Sequence, residues 1–308
     1  MRQNCKNTVF PPKPLWLRQK VHSATEFNSV VKLLKSKRIL TVCKEANCPN
    51  IGECFSRRTA TFLILGENCT RSCRFCAVNH EAPKPPDPDE PSRIAETVRT
   101  MGLMYVVITS VTRDDLSDGG AGHFAATISE IRKSTPEARI EVLVPDFRGS
   151  EKALLMVVQA NPDVINHNIE TVKRLYPAVR PEAEYSRSLE LLKRARLMDT
   201  SILTKSGIML GMGETQEELR RVFVDILDAG CKILTLGQYL QPSTEHYPVK
   251  RYVHPEEFDN LREIALEMGF QKVASGPLVR SSYHADELFQ VNTPARSRLL
   301  TENEHENK

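Results

Sequence analysis

Clustered cysteines are the residues of this chain whose type and spacing point most directly to chemistry. The 308-residue sequence has eight cysteines, and six of them fall within 34 consecutive positions. Thiolates are soft ligands that suit zinc and iron–sulfur clusters. Because the N-terminal residues show no secretion signal, we expect the chain in the reducing cytoplasm, where clustered cysteines indicate a metal or catalytic site. The six form two triplets, Cys43–Cys48–Cys54 and Cys69–Cys73–Cys76.

The second triplet, with the spacing Cys69–x3–Cys73–x2–Cys76, predicts a cluster with one open iron. A 4Fe–4S cluster normally takes four cysteines, so three of them leave one iron free to chelate a small molecule. A structural zinc site is the alternative. Zinc in such sites usually takes four ligands, often as paired short motifs, and the fourth ligand is absent from this run.

The first triplet, Cys43–x4–Cys48–x5–Cys54, lies in a polar stretch without strand periodicity. It admits more than one arrangement. The two triplets could pool six ligands on one or two metals, or each could hold its own cluster. The spacing of the cysteines does not decide between these possibilities.

Alternating short strands and helices after residue 59 must position the cysteines. Six strand–helix units in series indicate a parallel sheet, and strands rich in Ile, Val and Leu indicate that both faces are covered. We predict an α/β fold, an open partial (βα)6 barrel of the TIM type, with a doubly wound sheet as the alternative. The active site is then expected at the carboxyl ends of the strands. The predicted strands are residues 61–65, 105–109, 139–144, 164–168, 207–210 and 233–236, and the predicted helices are residues 94–101, 124–133, 152–159, 189–197, 217–228 and 256–268.

Capping signals and composition complete the predicted organisation. Ser92 is expected to cap the first helix of the barrel, and Thr215 with Glu218 the fifth. The change of pattern along the chain divides it into three parts. These are an N-terminal extension (residues 1–58), the barrel (59–275) and a C-terminal extension (276–308) with a disordered tail.

The net charge of +3 is too mild to indicate nucleic acid. No apolar run approaches the ~18 residues of a membrane helix, so we predict no membrane partner.

The second triplet, with Phe75 before its last cysteine, resembles the signature of the radical S-adenosylmethionine (SAM) superfamily. The resemblance implies that SAM binds the open iron and that one electron cleaves its sulfonium to a 5′-deoxyadenosyl radical. It also implies SAM contacts at Gly119 and Gly120 and along the segment that contains Gly211 and Glu214. Each of these would otherwise be an ordinary glycine turn.

Asn168 is a candidate cofactor contact on different grounds. It belongs to a polar group at the carboxyl end of the fourth predicted strand, where barrels bind ligands. A buried polar residue with satisfied hydrogen bonds is an equal alternative.

Both triplets together closely resemble the lipoyl synthase family, in which the first triplet binds an auxiliary 4Fe–4S cluster. Residues 280–285, Arg-Ser-Ser-Tyr-His-Ala, strengthen the resemblance. It implies that Ser282 is the fourth ligand of the auxiliary cluster, beside Cys43, Cys48 and Cys54. A serine oxygen is a harder and poorer ligand for iron than a thiolate, which suits a cluster that is taken apart for its sulfur.

The family resemblance also implies a reaction and partners. The reaction is insertion of two sulfur atoms, at C6 and C8, into an octanoyl chain on a carrier lysine. The carriers would be lipoyl domains of 2-oxoacid dehydrogenases and the glycine-cleavage H protein, and the electron donor a ferredoxin or flavodoxin. The alternatives are another two-cluster radical enzyme such as a methylthiotransferase, an electron-transfer protein, and a zinc-stapled interaction module.

Overall fold

An eight-stranded sheet forms the framework of the molecule. The computed structural model describes residues 12–18 and 24–289. The strands follow one another across the sheet in chain order, and β2 to β8 are parallel, whereas β1 runs antiparallel to β2. In this part of the chain β1 and β8 do not pair with each other, so the barrel is open. The strands are β1 (Leu40–Thr41), β2 (Thr61–Ile64), β3 (Tyr105–Ser110), β4 (Arg139–Leu143), β5 (Val164–Asn166), β6 (Leu203–Leu210), β7 (Ile233–Gln238) and β8 (Lys272–Gly276).

Helices connect successive parallel strands and cover the outside of the sheet. All six predicted strands and all six predicted helices are present, which confirms the open α/β barrel of six strand–helix units. The helices are α1 (Ala24–Ser36), α2 (Val42–Glu45), α3 (Ile51–Ser56), α4 (Glu90–Met101), α5 (Ala121–Ser134), α6 (Glu151–Gln159), α7 (Tyr176–Val179), α8 (Tyr185–Met198), α9 (Gln216–Asp228), α10 (Pro255–Met268) and α11 (Ala285–Phe289), with 3-10 turns at Leu15–Leu17, Phe147–Gly149 and Lys173–Leu175.

Strand alternation separates the core from the barrel interior. On β3, Val106 and Ile108 are fully buried in the apolar core beneath the helices. Tyr105, Val107 and Thr109 point the other way and line cavities inside the barrel. Because neighbouring side chains of a strand point to opposite faces, the same strand supplies both the packing that holds the helices and the wall of the site.

A missed strand, an early strand start and one helix cap are the main differences from the sequence prediction. The edge strand β8 was not predicted, because its sequence Lys-Val-Ala-Ser-Gly lacks an apolar run. Strand β6 begins at Leu203, four residues before the predicted start; Thr204, Lys205 and Ser206 interrupt the apolar pattern, and Lys205 faces inward to Glu141. Ser92 is not the cap of α4: the helix begins at Glu90 with Asp89 before it, and the Ser92 hydroxyl donates to the Asp89 carbonyl.

The cap of α9 gives a first test of the fold. The Thr215 hydroxyl accepts from the Glu218 amide at 3.2 Å, and the Glu218 carboxylate accepts from the Thr215 amide at 2.9 Å. Thr215→Ala leaves one of these amides without a partner and should cost about 1 kcal/mol in the free energy of unfolding. Urea unfolding of the apoprotein measures this, with Thr215→Ser as the matched control. An alanine variant as stable as the serine variant would contradict the role of the cap.

The structure bears only partly on two further predictions, the absence of a membrane partner and the disordered C-terminal tail. No helix of the described residues has the length and apolar character needed to cross a membrane. The predicted disordered tail, residues 302–308, lies outside the described residues.

Candidate active site

The loop that carries the second cysteine triplet follows β2 at the carboxyl end of the sheet. Backbone hydrogen bonds join it to the segment after β3, with the Thr70 amide donating to the Thr112 carbonyl at 3.0 Å. The Cys69 sulfur accepts from the amide of Thr112 at 3.3 Å and from that of Arg71 at 3.5 Å. The chain segment that is predicted to hold a cluster is therefore fixed against the neighbouring strand.

Arg71, inside the same triplet, is the central anchor of this loop. Its guanidinium donates to both oxygens of Asp114, at 2.7 and 3.0 Å, and to Asp146 at 2.6 Å. These carboxylates lie just beyond β3 and β4, and Arg71 is almost fully buried. Burial favours the neutral form of Asp146, but the hydrogen bond and charge of Arg71 outweigh it and lower the pKa of Asp146 to about 2. Sequence reasoning missed Arg71, although a charged residue between two candidate ligands is a recognisable signal.

The first triplet is held by short helices and by the C-terminal segment. Cys43 lies on α2 and Cys54 on α3, and the Cys48 amide between them donates to the Cys43 carbonyl at 3.0 Å. The Asn50 side chain donates to the Leu278 carbonyl at 2.7 Å. The Tyr283 hydroxyl donates to the Glu53 carboxylate at 2.8 Å. These links bring the C-terminal segment that contains Ser282 to the triplet, over more than 200 residues of intervening chain.

Two cavities inside the barrel meet at the first triplet. A cavity of about 350 Å³ at the carboxyl ends of the strands is lined by all three cysteines of the second triplet and also by Cys43, Cys48 and Ser282. A cavity of about 650 Å³ at the amino ends is lined by Cys43, Cys48, Cys54 and Ser282. Cys43, Cys48 and Ser282 thus line both cavities, whereas Cys54 lines only the larger of the two. The smaller cavity is the one that they share with the second triplet.

The chemistry of the donor set fits iron–sulfur clusters. All six triplet cysteines are free thiols. Burial, reinforced by the neighbouring thiols, raises the pKa of Cys43 to about 11 and that of Cys54 to about 12, and burial raises the pKa of Cys76 to about 12. Buried thiolates therefore need a positive partner, which bound metal supplies. Among the described residues no three His, Cys, Asp or Glu side chains are grouped to hold a single metal ion; a cluster spreads its ligands over several irons.

The carboxyl-end cavity also has polar groups without partners. Asn168 donates to Glu170 at 3.1 Å, whereas its own side-chain oxygen is buried with no hydrogen bond in the structure. Arg180 donates to the Asn168 and Ile169 carbonyls, and its Nε is likewise buried without a partner. Burial raises the pKa of Glu170. Buried polar atoms are almost always hydrogen-bonded in folded proteins, so this cluster indicates a place for a polar ligand.

The predicted glycine contacts lie elsewhere. Within the described chain, Gly119, Gly120, Gly211 and Glu214 are not among the residues that line the cavity with the second triplet. A Cβ on Gly120 would come within 2.3 Å of Leu65, and one on Gly211 within 2.4 Å of a backbone carbonyl. Glu214 accepts from the amides of Gly211 and Met212. Tight packing and turn geometry account for these residues in the structure, and their contact with a cofactor stays a prediction.

A buried ion pair deeper in the barrel was missed by the sequence reasoning. Lys205 donates to both carboxylate oxygens of Glu141, at 2.9 and 3.1 Å. The Tyr105 hydroxyl and the Asn166 side chain donate to the same carboxylate at 2.7 and 3.0 Å. Both charges are almost fully buried. The signal in the sequence was a charged residue at an inward position of β4 and another on β6, the two strands that flank β5.

Breaking this ion pair should be strongly destabilising. Lys205→Met leaves the Glu141 carboxylate buried without its counter-charge, which we expect to lower the free energy of unfolding by about 3–5 kcal/mol. Adding Glu141→Gln removes the uncompensated charge and should recover part of the loss. Urea unfolding of the apoproteins measures both effects. If the single variant unfolds at the same urea concentration as the parent, the pair has no such role.

Comparisons with known proteins agree with this geometry. The Radical SAM superfamily model matches residues 63–226. The lipoyl synthase of Alkaliphilus metalliredigens is 56% identical over 92% of this chain and 98% of its own length. That of Caldanaerobacter subterraneus subsp. tengcongensis is 58% identical over 89% of this chain and 96% of its own.

Solved structures share the fold at low identity. Streptococcus suis SuiB bound to S-adenosylmethionine has a TM-score of 0.55 at 12% identity, over 80% of this chain and 60% of that one. Methylornithine synthase has a TM-score of 0.53 at 14% identity, over 80% and 77% of the two chains. Radical SAM enzymes use a 4Fe–4S cluster and SAM, the first cofactors predicted from the second triplet. The chain belongs to the lipoyl synthase family of radical SAM enzymes.

Proposed function

We propose that this enzyme inserts two sulfur atoms, at C6 and C8, into an octanoyl chain bound through an amide to a lysine of a carrier protein. The observation that carries the proposal is the shared cavity. Cys69, Cys73 and Cys76 line it together with Cys43, Cys48 and Ser282. A substrate chain in this cavity would lie between the source of the radical and the source of the sulfur.

The second triplet would hold the cluster that binds SAM. That cluster, when bound, supplies the electron that cleaves SAM to methionine and a 5′-deoxyadenosyl radical, which takes one hydrogen atom from the substrate. The role of the protein is to fix the loop that presents the three thiolates. The buried ion pairs of Arg71 with Asp114 and Asp146 support this role. The planar guanidinium of Arg71 ties the loop to the segments that follow β3 and β4.

The first triplet and Ser282 would hold the auxiliary cluster and release it as sulfur is used. Three thiolates and one serine oxygen complete the four ligands that a 4Fe–4S cluster takes. The serine oxygen is the weakest of these ligands for iron. Ser282 would therefore be the ligand that holds the cluster least firmly. The hydrogen bonds from Asn50 to the Leu278 carbonyl and from Tyr283 to Glu53 would keep Ser282 in place.

Asn168, Glu170 and Arg180 are proposed to bind polar groups of SAM. The buried, unpartnered Oδ1 of Asn168 and Nε of Arg180 support this assignment, and Glu170 lies beside them as the acceptor of a hydrogen bond from Asn168. Gly119, Gly120, Gly211 and Glu214 would contribute from the loops beyond the strands, through backbone shape rather than side-chain contact. The apolar lining of the cavity, which includes Leu63, Val111 and Ile208, would exclude water from the radical. Holding the reacting carbon next to the radical supplies the selectivity of the reaction.

Partners and the organisation of the chain follow from the same proposal. The carriers would be lipoyl domains of 2-oxoacid dehydrogenases and the glycine-cleavage H protein, in the cytoplasm, with ferredoxin or flavodoxin as electron donor. Residues 1–58 would serve as the extension for the auxiliary cluster, residues 59–275 as the radical barrel, and residues 276–308 as the extension that supplies Ser282.

An anaerobic assay tests the proposal. The reconstituted enzyme is incubated with SAM, a strong reductant and an octanoyl-lysine peptide, and the products are measured by mass spectrometry. We expect 5′-deoxyadenosine and a peptide that has gained two sulfur atoms. A peptide with unmodified lysine is the control and should gain none. Deoxyadenosine together with an unchanged octanoyl peptide would contradict the proposed reaction.

A further inference from the structure

The first cysteine triplet can be reached from a second side of the barrel. The cavity of about 650 Å³ contains Thr61 and Tyr105, the first residues of β2 and β3, so it lies at the amino ends of the strands. Cys54 lines this cavity and is not among the residues that line the carboxyl-end cavity. A cluster between Cys43, Cys48, Cys54 and Ser282 would therefore present one face to the reaction cavity and another to the amino-end cavity.

The amino-end cavity opens to solvent. Arg57, Arg58, Thr59 and Gly102 in its lining are exposed, and Met104 is 59% exposed. These residues come from the two loops that precede β2 and β3. They form a rim, which we call the amino-end opening, on the side of the barrel away from the second triplet.

The lining of this cavity is predominantly positive. It contains four arginines, Arg57, Arg58, Arg139 and Arg280, against the single carboxylate of Asp286. Arg57 is partly neutralised by Glu53 and Glu287, and Arg139 by Asp163, whereas the ion pairs of the described residues include none for Arg58 or Arg280. A cleft lined by one sign of charge raises the local concentration of ions of the opposite sign. Hydrosulfide and thiolate-bound iron–sulfide species are negatively charged and match this lining.

A cluster that gives up sulfur must be replaced before the next turnover. The inference below rests on the proposed function, in which the auxiliary cluster loses its sulfur. The carboxyl-end cavity is the place of SAM and substrate. We infer that the amino-end opening is the route by which hydrosulfide and anionic thiolate-bound iron reach Cys43, Cys48, Cys54 and Ser282. The enzyme can then be reloaded without emptying the reaction cavity.

Blocking the opening tests this route through iron exchange rather than turnover. The full-length chain with Cys69, Cys73 and Cys76 replaced by alanine isolates the auxiliary cluster. In this background, Met104→Trp adds bulk at the rim, and Arg58→Glu reverses a charge there without adding bulk. Loss of iron to the anionic chelator EDTA, and regain of the cluster from ferrous iron, sulfide and excess thiol, are followed by absorbance and by iron and sulfide analysis.

We expect both variants to lose and regain the cluster several-fold more slowly than the background protein. Leu197→Trp is the matched control, because Leu197 is 73% exposed on α8 and lies outside both cavities. It should exchange at the background rate, as should His80→Trp, which adds bulk at the carboxyl-end cavity.

Three outcomes would overturn the route. Unchanged exchange in both Met104→Trp and Arg58→Glu removes the amino-end opening from the path. Slower exchange in His80→Trp alone assigns the path to the carboxyl end. A background protein that holds no iron and no sulfide would show that the first triplet binds no cluster. That result would contradict the proposed function itself, not only the route.

Discussion

Replacing Cys73 with alanine is expected to abolish both 5′-deoxyadenosine and lipoyl product. Without its thiolate the second triplet would have two of its proposed ligands left, so the cluster proposed to bind SAM would be lost or could not deliver its electron. Iron should fall from about eight to about four atoms per chain, because each 4Fe–4S cluster holds four. Product analysis by mass spectrometry and iron analysis of the anaerobically reconstituted protein measure these losses.

Cys231→Ala is the matched control for this prediction. Cys231 is fully buried on the other side of the sheet, and its thiol donates to the Ile233 carbonyl. Its loss creates a small cavity and should lower stability without removing iron or activity. Deoxyadenosine formation by the Cys73→Ala variant at the parent rate would show that the second triplet is not the SAM-cleaving site.

Replacing Ser282 with alanine should separate the two halves of the reaction. The second triplet is untouched, so the variant should still cleave SAM and form 5′-deoxyadenosine. The proposed auxiliary cluster would lose its one oxygen ligand, and the thiolated product should fall to a small fraction of the parent amount. The ratio of deoxyadenosine to lipoyl product, measured in one reaction mixture, is the quantity that should rise.

Two control variants, one at position 282 and one at position 281, test whether the effect is specific to the Ser282 oxygen. Ser282→Cys offers a softer ligand, so it should retain the auxiliary iron but release sulfur more slowly than the parent. Ser281→Ala removes the adjacent hydroxyl, for which no ligand role is proposed, and should leave the product ratio unchanged. Full product from Ser282→Ala would exclude this serine as a ligand of a consumed cluster.

The fold was predictable where the local pattern agrees with the tertiary structure. Runs of Ile, Val and Leu marked β2 to β5 and β7, because these strands are covered on their outer face by helices. Strand β8 escaped notice because its residues are only partly buried at the edge of the sheet. The first half of β6 escaped notice because Lys205 faces inward to Glu141, a pairing between residues 64 positions apart. Such long-range pairs cannot be derived from periodicity.

The site was predictable from ligand type and spacing, but its supports were not. The number and clustering of the cysteines were enough to identify them as candidate ligands. Ser282 was found only through the family resemblance, since its approach to the first triplet depends on contacts such as Tyr283 with Glu53, 230 positions away. Arg71 was overlooked for the same reason, because its partners Asp114 and Asp146 lie in distant segments, just after β3 and β4. Gly120 and Gly211 are the opposite case. Their motifs were recognised in the sequence as cofactor contacts, but close packing against neighbouring atoms is enough to explain the glycines.

Isotope transfer tests the central claim most directly. The enzyme is reconstituted with heavy-isotope sulfide, freed of unbound sulfide, and allowed one turnover on an octanoyl-lysine peptide with SAM and reductant. If the cluster at Cys43, Cys48, Cys54 and Ser282 is the sulfur donor, mass spectrometry should show a lipoyl peptide with two heavy sulfur atoms. A product that carries sulfur of natural isotopic abundance would contradict the account.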